Sequence, residues 1–80
     1  MTQRRVVIDD QVSLSLGKYL DDSPGLAKVL EAIDALADGP RPPGSMPWGP
    51  VISRLHIGPY RVLYEIEEAT IWVRRIDRLM

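Results

Sequence analysis

Hydrophobic and polar positions follow three successive rhythms along the chain. The run from Arg4 to Ile8 is β-branched at Val6, Val7 and Ile8 and stops at Asp9-Asp10, which predicts a short strand followed by a helix N-cap. Val12, Leu16, Tyr19 and Leu20 then recur at helical spacing. Gly17 weakens that helix by up to ~1 kcal/mol relative to alanine. Asp21-Asp22-Ser23-Pro24 breaks it and starts another, with Ser23 suited to the N-cap and Pro24 to the first helical position. In the second helix Leu26, Val29, Leu30, Ile33, Leu36 and Ala37 form one stripe, while Lys28, Glu31, Asp34 and Asp38 face elsewhere. Gly39-Pro40 ends it, and the short break between the helices predicts an antiparallel hairpin.

Residues 39–50 hold five of the seven prolines and three of the six glycines, the mark of an irregular loop. Met46 and Trp48 are its large apolar residues, and Trp48 is expected to pin it. Beyond it the pattern alternates. Ile52–Ile57, Tyr60–Ile66 and Thr70–Ile76 read as three strands joined at Gly58-Pro59 and near Glu67–Ala69. Folding the first hairpin about Gly58-Pro59 sets Ile57 against Tyr60, His56 against Arg61 and Arg54 against Leu63. One face then reads Leu55, Ile57, Tyr60, Val62, Tyr64 and Ile66, a core face; the other reads Arg54, His56, Arg61, Leu63 and Glu65. The register that keeps Ile71 and Val73 inside adds Trp72, Arg74 and Ile76 to the second face. The expected fold is α+β, in the order β-α-α-β-β-β, with a helical hairpin on one face of a small antiparallel sheet and the other face open.

Composition narrows the functions available. Eighty residues make a single domain, 1–80, with no room for separate cofactor and substrate domains. Zero cysteines remove disulfide, thiolate-zinc and thiol-nucleophile chemistry, and the lone histidine, His56, argues against a metal site. No cofactor is expected. No apolar run approaches the ~18–20 residues of a membrane span, and the N-terminus lacks the apolar core of a signal peptide, so a cytoplasmic chain without membrane contact is expected. The net charge of −1 hides an asymmetry. Residues 1–40 carry four basic against seven acidic residues, whereas residues 41–80 carry six arginines against four acids. A phosphate-rich partner would meet the second half, although a pI near 5.7 is low for binding by bulk charge alone.

The open face therefore carries the candidate chemistry. Arginines on a sheet face are ordinarily solvated, and a cross-strand pair such as Arg74 with Glu65 contributes ~0.2–1 kcal/mol. Here Arg54, His56, Arg61 and Arg74 converge within two or three strand spacings, and like charges so placed repel unless an anion joins them. No nucleophile elbow, phosphate loop or dinucleotide fingerprint is present. Phosphodiester cleavage remains feasible: arginines stabilise the phosphate, a 2′-OH attacks, and His56 moves a proton or serves only as a cross-strand partner. Tyr60 and Tyr64 have core parity. Trp72 is placed to stack on a nucleobase or to pack under a partner helix.

Three segments carry a family resemblance over nearly the whole chain: Asp-Ala-Leu-Ala-Asp-Gly-Pro-Arg-Pro-Pro-Gly (34–44), Arg-Leu-His-Ile-Gly-Pro-Tyr-Arg-Val-Leu-Tyr-Glu-Ile (54–66) and Ile-Trp-Val-Arg-Arg-Ile-Asp (71–77). Together they resemble the RelE/ParE superfamily of bacterial type II toxins, and the RelE-like branch in particular. The resemblance implies a toxin that cleaves mRNA on the ribosome without a metal and is neutralised by a cognate antitoxin. It implies that Arg61 is the catalytic arginine and that Arg54 stands at the position of a catalytic lysine, with Arg78 or Arg74 supporting the leaving group and His56 carrying a proton. Arg41 and Trp72 are the expected RNA-binding residues, and Leu63, Trp72 and Ile76 the expected antitoxin contacts. The family's second lysine is replaced by Ile52, its C-terminal arginine by Leu79, and its terminal tyrosine is missing, which implies weakened cleavage. Inhibition of DNA gyrase in the ParE manner, or a degenerate antitoxin-binding module, are the alternatives.

Overall fold

Two aspartates start the helices. Strand β1 (Arg5–Ile8) ends at Asp9, whose carboxylate accepts a hydrogen bond from the Gln11 N–H (2.9 Å) and caps helix α1 (Asp10–Ser15). Helix α1 is short, and the chain continues through 3₁₀ turns over Leu16–Asp22, kinked at Tyr19 (φ −113°, ψ 16°). Helix α2 (Ser23–Ala35) is capped by Asp22 rather than by Ser23. One Asp22 oxygen accepts from the Gly25 N–H (3.1 Å) and the other from the Tyr60 hydroxyl (2.8 Å), a double task that a serine hydroxyl at the next position could not perform. A Cβ at Gly25 would lie 2.1 Å from that carboxylate, so glycine leaves it room.

The computed structural model describes residues 3–79; Met1, Thr2 and Met80 of the terminal segments discussed above lie outside the described residues. It contains strands β2 (Ser45–Pro47), β3 (Ile52–Ile57), β4 (Tyr60–Ile66) and β5 (Thr70–Arg78), in the sheet order β1-β5-β4-β3-β2. The architecture is the expected α+β arrangement with two refinements. Strand β1 runs parallel to β5, which makes the sheet mixed. The proline-rich segment supplies a fifth strand, β2, at the sheet edge, where Pro47 is tolerated. The β3–β4 hairpin turns at Gly58-Pro59 in the expected register, and Gly58 takes φ +57°, a conformation that costs an L side chain ~1–2 kcal/mol.

The core lies between the helices and one sheet face. Val12, Leu26, Val29, Ile33 and Leu36 meet Leu55, Tyr60, Val62, Tyr64, Ile71 and Val73, each large aliphatic worth roughly 1.5–3 kcal/mol on burial. Leu20 and Leu30, placed in the helical stripes by spacing alone, are exposed; the 3₁₀ turns carry the first out of helical phase. Tyr60 and Tyr64 are both buried, as their parity predicts, and the Tyr64 hydroxyl donates to the Pro40 carbonyl (2.7 Å).

The β4–β5 ladder changes phase once. Tyr64 faces Val73 and Leu63 faces Arg75, so Arg74 is an extra residue in a β-bulge. Before it, Ile71 and Val73 point to the core; after it, Ile76 does, at 3% exposed. Ile76 is therefore a core residue and not the open-face antitoxin contact that strict alternation predicts. Arg78 is displaced by the same shift. It pairs opposite Tyr60 on the helix side, bonds to Asp21 (3.0 Å) and lies 5.0 Å over the Tyr19 ring, which removes it from the open-face cluster.

Candidate functional site: an arginine-lined sheet face

Cross-strand register arranges the open face in three rows. His56, Arg61 and Asp77 form the first, and Met46, Arg54, Leu63 and Arg75 the second. Ile52, Glu65, Trp72 and Val7 form the third. Bulged Arg74 joins the third row, with its Nε 3.0 Å from Glu65 and its guanidinium 5.0 Å over the Trp72 ring. The structure thus brings Arg54, His56, Arg61, Arg74, Leu63 and Trp72 onto one surface. It does not bring Arg41, which is exposed in the loop after α2, near the Tyr64 hydroxyl on the helix side.

Most of this positive charge is already answered. Arg61 Nη2 lies 3.2 Å from Asp77 Oδ2, and Arg75 Nε lies 2.9 Å from the same oxygen. Burial alone would raise the Asp77 carboxyl, but the hydrogen bonds from Arg75 and Arg61 outweigh it and hold the pKa below its usual value. The Arg61 Nε is buried without an acceptor among the described residues, so Asp77 is the polar group that fixes this guanidinium. Arg74 is matched by Glu65. Register also places exposed Arg5 on this face, opposite Thr70 at the β1 edge; of these five arginines, Arg5 and Arg54 make no ion pair among the described residues. The neighbours of Arg54 are the Met46 thioether (3.4 Å) and the Trp48 ring (4.6 Å). His56 is exposed beside Arg61.

Asp77, Arg75 and Trp48 belong to this surface without having been identified from the sequence. Asp77 and Arg75 depend on the bulge. Trp48 does not pin the proline-rich loop: it is 51% exposed, and its backbone N–H donates to the Ile52 carbonyl (2.8 Å), continuing the β2–β3 ladder by one place. The alternation of Met46 and Trp48 was the available signal, obscured by the prolines around it. Trp72 is more constrained than expected, since its indole N–H donates to Glu67 (2.5 Å) while Arg74 covers the ring.

The face is a shallow surface of cations, rings and three carboxylates, Glu65, Glu67 and Asp77, suited to an extended anionic chain. Among the described residues no group of three or more histidine, cysteine, aspartate or glutamate side chains is arranged to hold a metal ion, and no helix is long and apolar enough to cross a membrane.

Comparison with known proteins agrees with the sequence resemblance. No curated protein matches the chain. Among solved structures, a chain of the archaeal RelE–RelB complex from Pyrococcus horikoshii OT3 superposes with a TM-score of 0.78 at 23% identity, covering 96% of each chain, which establishes a shared fold. The family described as ParE toxin of type II toxin–antitoxin system, parDE, matches residues 14–78. With most of its length matched, the chain belongs to the ParE toxin family of type II toxin–antitoxin systems, within the RelE/ParE superfamily.

Proposed function

We propose that this protein is a ribosome-dependent mRNA endoribonuclease of the RelE kind, restrained by a cognate antitoxin. The observation that carries this reading is the convergence of Arg54, Arg61, Arg74, Arg75 and His56 on the sheet face opposite the helices. In the reaction a ribose 2′-oxygen attacks the adjacent phosphorus, the bond to the 5′-oxygen breaks, and a 2′,3′-cyclic phosphate and a 5′-hydroxyl result. The proton lost at the 2′-oxygen and the one gained at the 5′-oxygen balance. Arg61 stabilises charge on the equatorial phosphate oxygens and Arg54 lowers the cost of the attacking alkoxide. Arg74 supports the leaving oxygen, a role that falls to it alone once Arg78 is placed on the helix side, and His56 carries a proton. The chemistry is that of the metal-independent enzymes the chain resembles. The antitoxin contacts proposed on this face are Leu63 and Trp72.

A second reading, gyrase inhibition through protein contacts, is favoured by the match to ParE and by the carboxylates that compensate Arg61, Arg74 and Arg75. Inducible expression in a bacterial host with primer extension on a translated reporter separates the two. Cuts within codons that vanish when translation is blocked, and that Arg61→Ala abolishes while the variant stays folded, support the nuclease. Growth arrest without cuts moves the assignment to gyrase.

A further inference from the structure

The Trp48–Arg54 pair is unlike the other contacts on the open face. Arg61, Arg74 and Arg75 each have a carboxylate partner, whereas Arg54 is held by two neutral groups, the Met46 sulfur at 3.4 Å and the Trp48 ring at 4.6 Å. Ring stacking fixes a guanidinium without cancelling its charge. A full positive charge therefore stands beside a half-exposed indole. The indole is carried on a constrained backbone: Pro47 and Pro50 flank it, Gly49 turns the chain at φ +113°, and the Trp48 backbone N–H is fixed by the ladder bond to Ile52. Little conformational freedom remains to be lost when a ligand arrives.

We propose that Trp48 and Arg54 form a nucleotide-binding platform that takes one base of single-stranded RNA on the indole and the adjoining phosphate on the guanidinium. This inference rests on the reading of the open face as an RNA surface, and it names a base-contacting residue for that surface. The placement along β3 supports it. Arg54 precedes His56 by two residues, ~6.6–6.8 Å along a strand, and His56 faces Arg61 across the ladder. An RNA strand following β3 would rest one base on Trp48, its neighbouring phosphate on Arg54 and the next phosphate near Arg61. Trp72 differs in two respects: its indole N–H is bound to Glu67, and the arginine over its ring is itself paired with Glu65.

The test is fluorescence anisotropy of an end-labelled single-stranded RNA oligonucleotide at low salt, titrated with the intact protein and with its Trp48→Ala, Trp48→Phe, Arg54→Ala and Arg61→Ala variants. Trp48→Ala is expected to weaken binding roughly ten-fold or more, as loss of one base–aromatic stack does, while Trp48→Phe restores most of it. An oligonucleotide with abasic sugars should bind intact protein and Trp48→Ala equally, whereas Arg54→Ala should weaken both ligands. Thermal denaturation of Trp48→Ala should match that of the intact protein, which separates a contact from a fold defect. If Trp48→Ala binds base-bearing RNA as tightly as the intact protein while Arg61→Ala does not, the platform is refuted and the RNA surface stands. If Trp48→Ala spares RNA binding but loosens a co-expressed antitoxin, the indole is a protein contact and the platform is likewise refuted. If the intact protein binds no RNA, the platform falls, and the nuclease reading is decided separately by the cuts on translated mRNA.

Discussion

Asp77→Asn is expected to move stability and RNA affinity in opposite directions. Asp77 is tied to two arginines, Arg61 at 3.2 Å and Arg75 at 2.9 Å. The Arg61 and Asp77 side chains are only 26% and 23% exposed, so this pair lies toward the upper end for partly solvated ion pairs. Such pairs contribute about 0.2–1 kcal/mol each. Arg75, 65% exposed, adds a few tenths. Asparagine keeps one acceptor for Arg61, and the net loss is about 1 kcal/mol, a fall in Tm of roughly 4–8 °C for a domain of this size. The effect on a bound phosphate has the other sign. Two unit charges 4 Å apart interact by about 1 kcal/mol in water and about 4 kcal/mol at an effective dielectric of 20. Removing the Asp77 charge from this half-exposed face should therefore tighten phosphate binding by about 1–2 kcal/mol, roughly ten-fold. The freed Arg61 should also steepen the salt dependence of RNA binding, by up to ~0.7 in the log–log slope. Calorimetric melting and RNA titrations from low to physiological salt measure all three quantities. Should Asp77→Asn lower stability and leave affinity and salt slope unchanged, Asp77 does not compete with an anion for Arg61, and the electrostatic reading of the face is wrong.

Other consequences are open to measurement. Tyr60→Phe removes a hydrogen bond to the Asp22 carboxylate and should cost about 1.5–3 kcal/mol in urea unfolding; an equal cost in an Asp22→Ala background would show that the two groups are uncoupled. Ile76→Ala should destabilise by about 2–5 kcal/mol if the bulge sends this side chain inward, and a loss below ~0.5 kcal/mol, the range of surface substitutions, would place it on the open face. Because the folded-state pKa of Asp77 is depressed, its stabilisation is fully present above the ordinary value of 3.8 and is lost as pH falls through the folded value. Acid titration of Asp77→Asn should accordingly show a shallower loss of stability below about pH 4 than the parent.

Local rules predict much of this molecule because most of its contacts follow chain periodicity. The α2 stripe, the Gly58-Pro59 hairpin and the buried tyrosines each depend on a repeat of 3.6 or 2 residues. The same parity located Arg54, His56, Arg61 and Trp72 and anticipated the Arg74–Glu65 pair. What escaped involves a residue answering to two elements at once. Asp22 displaces Ser23 as the cap because Tyr60, 38 residues away, uses its second oxygen. Proline density reads as loop, yet β2 forms, since an edge strand needs hydrogen bonds on one side only. Arg74 carries no local mark of a bulge, and without it Ile76, Asp77 and Arg78 all fall on the wrong side.

An inserted residue ordinarily turns every later side chain of a strand over, exchanging interior for exterior. At Arg74 the insertion is absorbed within a single place in the ladder: Val73 still meets Tyr64, and the next partner, Arg75, still meets Leu63. A chain lacking residue 74 would keep the same interior and the same pairing on either side. The surplus position therefore lets one codon be gained or lost without redrawing the fold, and here that codon adds a cation to the open face.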